Sequence, residues 1–116
     1  MKEKDNINIQ TLHTNVDNNV KEFVWDKMEQ LNRIFNRIEN CDVILKTDHD
    51  GKNQDKVVEV NLIIPQKTLF SKNQAETFEQ AADMVMEELK SQLLKYKDKH
   101  YDYSGATPID EIDEEI

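Results

Sequence analysis

TFEQAADMVMEELKSQLLKYKDKH, residues 77–100, is the stretch from which the fold is read. Phe78, Ala82, Val85, Leu89, Leu93 and Tyr96 recur at steps of 4, 3, 4, 4 and 3. That spacing draws one apolar stripe along a helix of about six turns. Thr77 and Gln80 stand at capping-box spacing, so the hydroxyl can take an otherwise unpaired backbone N–H at the helix start. No Gly or Pro interrupts the run, and its last third carries Lys90, Lys95, Lys97, Lys99 and His100 against Asp98. A helix built this way docks its stripe on a sheet. Its lysines suit the negative end of the helix dipole and can also offer cations to a phosphate backbone.

The segments before it supply the sheet. Thr68 to Glu76 alternates as a strand, with Leu69, Ser71, Asn73 and Ala75 on one face. These are small enough to let a helix approach. Pro65-Gln66-Lys67 reads as a turn. Lys56 to Ile64 is the clearest strand: Val58, Val60, Leu62 and Ile64 face one way, and Val57, Glu59, Asn61 and Ile63 the other. Asp48 to Asp55 is a polar hairpin loop and Val43 to Thr47 a short strand, entered through a turn at Glu39 to Asp42. Val20 to Ile38 is a first long helix with the stripe Val20, Val24, Met28, Leu31, Phe35 and Ile38, widened by Phe23 and Ile34. Lys27, Arg33 and Arg37 line one flank of it with Gln30 between them. Glu22, Asp26 and Glu29 are expected on the solvated outer face, and Trp25, off the stripe, in a partly buried structural role. Ile7 to Thr14 alternates as a strand, with His13 a strand-edge residue rather than a ligand. A turn at Asn15 to Asn19 follows, in which Asp17 can cap the helix.

The resulting order, β-α-β-β-β-α, predicts a two-layer α+β domain. The first helix is a crossover long enough for the first two strands to lie parallel. The remaining strands run as a meander, and both helices bury their stripes on one face of a four-stranded sheet. Residues 1–101 form the domain, and the acid-rich segment 102–116 reads as a mobile tail.

Charge and composition narrow the function classes. The net charge of −9 argues against indiscriminate nucleic-acid binding. The tail holds six acids and no Lys or Arg, so residues 1–101 carry only −3, from 15 basic and 18 acidic residues. A single cysteine, Cys41, excludes an internal disulfide and a cysteine-based zinc site. The start lacks the apolar core of a signal peptide, and no run approaches the roughly 18 apolar residues of a membrane span. The chain therefore reads as a soluble protein of the reducing cytoplasm. DHDGKNQD, residues 48–55, is no EF-hand loop, because Lys52 falls at position 5 and Gly51 at position 4.

There is no Gly-rich phosphate loop, no GxSxG and no His pair at ligand spacing, and Cys41 lies beside Asp42, which disfavours its thiolate. No enzyme activity, cofactor or metal is expected. Sheet-based RNA readers stack bases on strand aromatics, and here the strands offer only Phe70; the GxxG clamp of a KH module is absent as well. RNA binding, if the chain has it, falls to the helices.

Three pieces together resemble a known family: INIQTLHTNVDNNVKEFVWDKMEQLNRIF, the pair DVILK and VVEVNLIIP, and ETFEQAADMVMEELKSQLLKYKDKH. Over residues 7–100 the chain is similar to the short bacterial ribosome hibernation-promoting factors, also called ribosome-associated translation inhibitors (sigma-54 modulation protein-like). The resemblance implies the same fold. It also implies binding to the 30S subunit and the 70S ribosome, in the channel between head and body, where mRNA and tRNA are blocked. By position, the implied 16S rRNA contacts are Lys21, Lys27, Arg33 and Arg37 on the first helix and Lys90, Lys95, Lys97 and Lys99 on the second. Gln30, Ser91 and Glu88 depart from basic positions common in relatives, which bears on affinity more than on fold. Longer relatives carry a second domain that pairs ribosomes; this chain is expected to lack it, to act as a monomer and to use no membrane or small-molecule partner. The acidic tail would lie along the mRNA path or compete with RNA for the lysines of the second helix. The alternative is a protein-binding or self-associating domain of the same fold without RNA, suggested by Trp25, Leu94 and the acidic surface. A double-stranded-RNA module ranks third, because its usual order begins with a helix.

Overall fold

Six elements follow one another as β1 (Ile7–Leu12), α1 (Asn18–Ile34), β2 (Asn40–Thr47), β3 (Lys56–Ile64), β4 (Lys67–Ala75) and α2 (Phe78–Tyr101). The computed structural model describes residues 6–48 and 55–101, with side chains as far as Lys97. The loop residues 49–54, with Gly51 and Lys52, and the segment 102–116 lie outside the described residues, as do the side chains of Lys99 and His100.

The strands form one sheet in the order β1-β2-β3-β4. β1 and β2 pair in parallel across the α1 crossover, and β2-β3-β4 are antiparallel. Because side chains alternate along each strand, the registers align whole rows across the sheet. Ile7, Cys41, Leu62 and Leu69 make one row, and Ile9, Val43, Val60 and Ser71 the next. These rows face both helices. Val24, Met28 and Leu31 of α1 and Ala82, Val85, Leu89 and Leu93 of α2 are buried against them in a single core. Ala81 and Ala82, together with Ser71 and Ala75 on β4, are small buried side chains at the α2–β4 contact. The two-layer α+β architecture expected from the pattern is the one observed.

Both helix starts follow the capping expectation. The Gln80 N–H donates to Thr77 Oγ1 at 3.1 Å, and the Val20 N–H to Asp17 Oδ1 at 3.1 Å. The ends of elements differ more. α1 stops at Ile34, not Ile38; Phe35 turns extended, with φ −141° and ψ 105°. Phe35 and Ile38 are still buried. Their place in the stripe marked burial correctly, but a short turn and an extended exit deliver them to the core. Asn6 holds that exit: its Nδ2 donates to the Ile38 carbonyl and to Asn32 Oδ1, each at 3.1 Å. β2 then begins at Asn40, where a turn over Glu39 to Asp42 was expected.

Glu29, expected on the solvated face, is buried, and its Oε1 accepts from Asn32 Nδ2 at 3.1 Å. β1 ends at Leu12, so His13 is no strand-edge residue; it takes a left-handed φ of 55°, a region histidine enters more readily than most residues, and turns the chain toward α1. Trp25 is half-buried, as its position off the stripe suggested.

Candidate nucleic-acid interface

The two helices cover one sheet face and leave their own outer surface to solvent, so cations on that surface define the candidate site. Lys27 Nζ of α1 pairs with Asp83 Oδ1 of α2 at 3.0 Å. Farther along, Lys97 Nζ of α2 donates to the Ile34 carbonyl of α1 at 3.0 Å. Later residues of one helix therefore meet later residues of the other. The helices advance in the same sense, and their C-terminal ends lie together.

Helical arithmetic sorts the cations. At about 100° per residue, positions seven apart nearly superpose. Asp83, Lys90 and Lys97 thus share one edge of α2, and the Asp83 and Lys97 bonds fix that edge as the one facing α1. Glu88 and Lys95 share another edge. Glu88 Oε1 accepts from Ser71 Oγ at 2.5 Å, so this edge faces β4. Between the edges runs an exposed ridge of Glu87, Ser91 and Leu94, the last 43% exposed. Lys90 and Lys95 straddle that ridge.

On α1 the cations spread out. Lys21, Lys27 and Arg33 are six apart, which places them roughly 120° from one another around the axis. Lys27 faces α2, Arg33 is exposed, and Lys21 is half-buried on a different side. Arg37 lies beyond the helix end and is exposed, so the single flank of Lys27, Arg33 and Arg37 expected from the sequence does not exist. α1 ends where Arg33 and Arg37 stand, beside the far end of the Lys90–Lys97 edge. The structure brings together Lys27, Lys90 and Lys97 along the seam, with Arg33 and Arg37 at its end and Lys95 across the ridge. It does not bring Lys21 to them. The side chain of Lys99 lies outside the described residues.

Two of these lysines have intramolecular work that the sequence did not announce. Lys27 also sits 5.2 Å from the Phe23 ring centroid, a cation–π distance. Lys97 caps α1 from outside: the helix end lacks a glycine stop, and a cation there meets both an open carbonyl and the negative end of the dipole. Replacing Lys97 with Met keeps the apolar stem and removes the ammonium. We expect a loss of about 1–2 kcal/mol, the low end for a charge-assisted bond because the residue is half-exposed. It would be read as a lower urea midpoint at unchanged m.

Glu88, which departs from the basic pattern, likewise has a structural role. It accepts the hydrogen bond of the Ser71 hydroxyl, which is buried under α2, while Asn73 Nδ2 donates to the Ser71 oxygen at 3.3 Å. Gln92 Nε2 donates to the Phe70 carbonyl, so α2 also covers part of the β4 edge.

Other chemistry is limited. Burial, aided by the Asp42 charge, pushes the Cys41 thiol from 9.0 up to about 12, which leaves it a core side chain rather than a nucleophile. Among the described residues no group of three or more His, Cys, Asp or Glu side chains converges as a metal site. Among them, too, no helix is long and apolar enough to cross a membrane. Phe70 is half exposed on the sheet face away from the helices.

Residues 7–101 match the family model described as "Sigma 54 modulation protein / S30EA ribosomal protein". A protein from Pseudomonas putida named ribosome hibernation promoting factor is 31% identical over 93 residues, covering 80% of this chain and 87% of its own. Two solved structures share the fold. A ribosomal subunit interface protein from Coxiella burnetii superposes with a TM-score of 0.70 at 22% identity, over 78% of this chain and 96% of its own. The N-terminal domain of Protein Y from Thermus thermophilus gives 0.64 at 15% identity, over 78% and 94%.

Proposed function

Because this chain belongs to the sigma 54 modulation protein / S30EA ribosomal protein family, we propose that it is a ribosome hibernation factor, a non-enzymatic, cytoplasmic translation inhibitor acting as a monomer. In this reading it occupies the decoding channel of the 30S subunit, in free subunits and in 70S ribosomes, and excludes mRNA and tRNA. Lys90 and Lys95 meet 16S rRNA phosphates from either side of the α2 ridge. Arg33 and Arg37 extend the contact past the end of α1, Lys27 is a secondary contact because Asp83 holds it in the seam, and Lys21 and Lys99 are peripheral. The mechanism is charge complementarity with steric exclusion; no bond is made or broken.

The observation that carries this reading is the outer helix surface. In this mildly acidic domain Lys90, Lys95 and Arg33 of the helix layer stand outside the core within reach of a ligand, whereas Lys46, Lys56 and Lys72 of the sheet pair with Glu59 and Asp55. The exposed apolar side chains argue less for self-association. Met84 and Leu94 are both on α2 but about 15 Å apart along its axis, and Phe70 and Leu12 are on the opposite sheet face, so the four form no continuous patch.

The test is co-sedimentation of the purified protein with 30S and 70S particles across a salt series. Binding that weakens steeply with salt, and that initiator tRNA and mRNA displace, is the expected result. Absence of co-migration at low salt would overturn the proposal. We include the acidic segment 102–116 as a competitor for the α2 lysines: its deletion should shift the same salt series, and an unchanged series would remove that part.

A further inference from the structure

We propose that Asp83 is an affinity-setting residue of this interface, an internal carboxylate that occupies the phosphate position of Lys27. This rests on the ribosome-binding reading above and adds a residue of opposite charge to it. Lys27 enters the seam with its ammonium 3.0 Å from Asp83 Oδ1 and above the Phe23 ring. The Lys27 side chain is 27% exposed and that of Asp83 54% exposed. The lysine is thus held in a partly covered place by an acid that is itself open to solvent.

Asp83 lies seven residues before Lys90, on the same α1-facing edge of α2. A nucleic-acid strand reaching Lys27 along that edge encounters an anion first. A phosphate must either displace Asp83 or share Lys27 with it, and like charges so close together repel. A tethered competitor acts at an effective concentration on the order of millimolar, without any second molecule. Asp83 therefore removes one cation from the free interface and adds one repulsive charge. Among the described residues neither Lys90 nor Lys95 is in a salt bridge: Asp83, on the Lys90 edge, is paired with Lys27, and Glu88, on the Lys95 edge, accepts from Ser71.

The experiment compares the wild-type chain with Asp83→Asn, Lys27→Met and the double variant, by equilibrium binding to 30S subunits across a salt series. Asp83→Asn should bind about five- to tenfold more tightly near 0.1 M salt. The slope of log K against log salt should steepen by about 0.7–0.9, the signature of one further phosphate contact. Adding Lys27→Met should cancel both gains. A merely structural pair predicts something else: a lower melting temperature in both single variants and no change of slope.

Unchanged or weaker binding by a folded Asp83→Asn, or a gain that survives Lys27→Met, would overturn the inference. If Asp83→Asn melts below the assay temperature, Asp83→Ser and Asp83→Ala are read in the same way, and loss of fold in all three would show the pair to be structural. Wild-type protein that binds with a normal salt slope while Asp83→Asn matches it defeats this inference alone. Failure of all variants to bind defeats the ribosome reading as well.

Discussion

The double charge reversal Lys90→Glu, Lys95→Glu is expected to weaken 30S binding by 100-fold or more near 0.1 M salt and to leave folding intact. The two lysines stand on opposite edges of α2, each beside the exposed ridge of Glu87, Ser91 and Leu94. Neither is part of the buried core, and α2 is anchored by Leu89 and Leu93 beneath them. Each substitution removes one phosphate contact and places a carboxylate against the phosphate that was neutralised. Two lost contacts should flatten the salt slope by about 1.4–1.8, so the deficit narrows as salt rises. The urea midpoint should move by no more than about 0.5 kcal/mol equivalent, the usual range for exposed substitutions. Lys97 is left out of the reversal on purpose. Its bond to the Ile34 carbonyl would turn a charge change into a break between α1 and α2, and a loss of binding would then report on the fold. Retained affinity in the double variant, with the protein folded, would move the interface away from α2.

The core of the fold was legible in the chain because its signals are periodic. The stripe from Phe78 to Tyr96 and the alternation from Lys56 to Ile64 each test one period over many residues, and the α2 start and β3 came out where these placed them. The end of α1 was not legible for a specific reason. Phe35 and Ile38 continue the helical spacing, and nothing local marks Phe35 as a stop; no glycine stands there, and the bonds that end the helix come from Asn6 and Lys97, 29 residues before and 62 after. Glu29 differs for another reason: its partner Asn32 is only three residues on, and a glutamate one turn from other acids reads as solvated until Asn32 is known to be buried against Asn6.

The candidate site was legible in composition and less so in arrangement. Eight cations could be named from sequence, yet a six-residue spacing that scatters Lys21, Lys27 and Arg33 around α1 was visible in the same letters. The engagement of Lys27 by Asp83 and of Lys97 by α1 depends on how two helices pack, and sequence spacing within one helix carries no such information.

The Asn32 network gives the largest expected effect on stability. Asn32 is 6% exposed and exchanges two hydrogen bonds with Asn6, of 3.1 and 3.2 Å, while its Nδ2 also donates to Glu29 Oε1. Asn6 in turn holds the Ile38 carbonyl, and its own carbonyl accepts from the Cys41 N–H at 2.7 Å. Asn32 and Asn6 together therefore join the entry to β1, the last turns of α1 and the exit toward β2. Asn32→Ala breaks that pairing and leaves two partly or fully buried polar groups short of partners, a carboxyl oxygen of Glu29 and the amide of Asn6. At about 1–3 kcal/mol for each unsatisfied group, with some relaxation toward water, the expected loss is about 2–4 kcal/mol. That is a large share of the roughly 5–15 kcal/mol typical of a domain. Asn8→Ala is the matched control. Asn8 also donates to two side chains, Asn40 Oδ1 and Asp42 Oδ1 at 3.2 Å each, but in exposed positions where water replaces the bond, and should cost under about 1 kcal/mol. Urea unfolding of the two variants at equal m separates them. An Asn32→Ala loss no larger than that of Asn8→Ala would mean that the α1 exit is held by the burial of Phe35 and Ile38, with the amide network following from that packing.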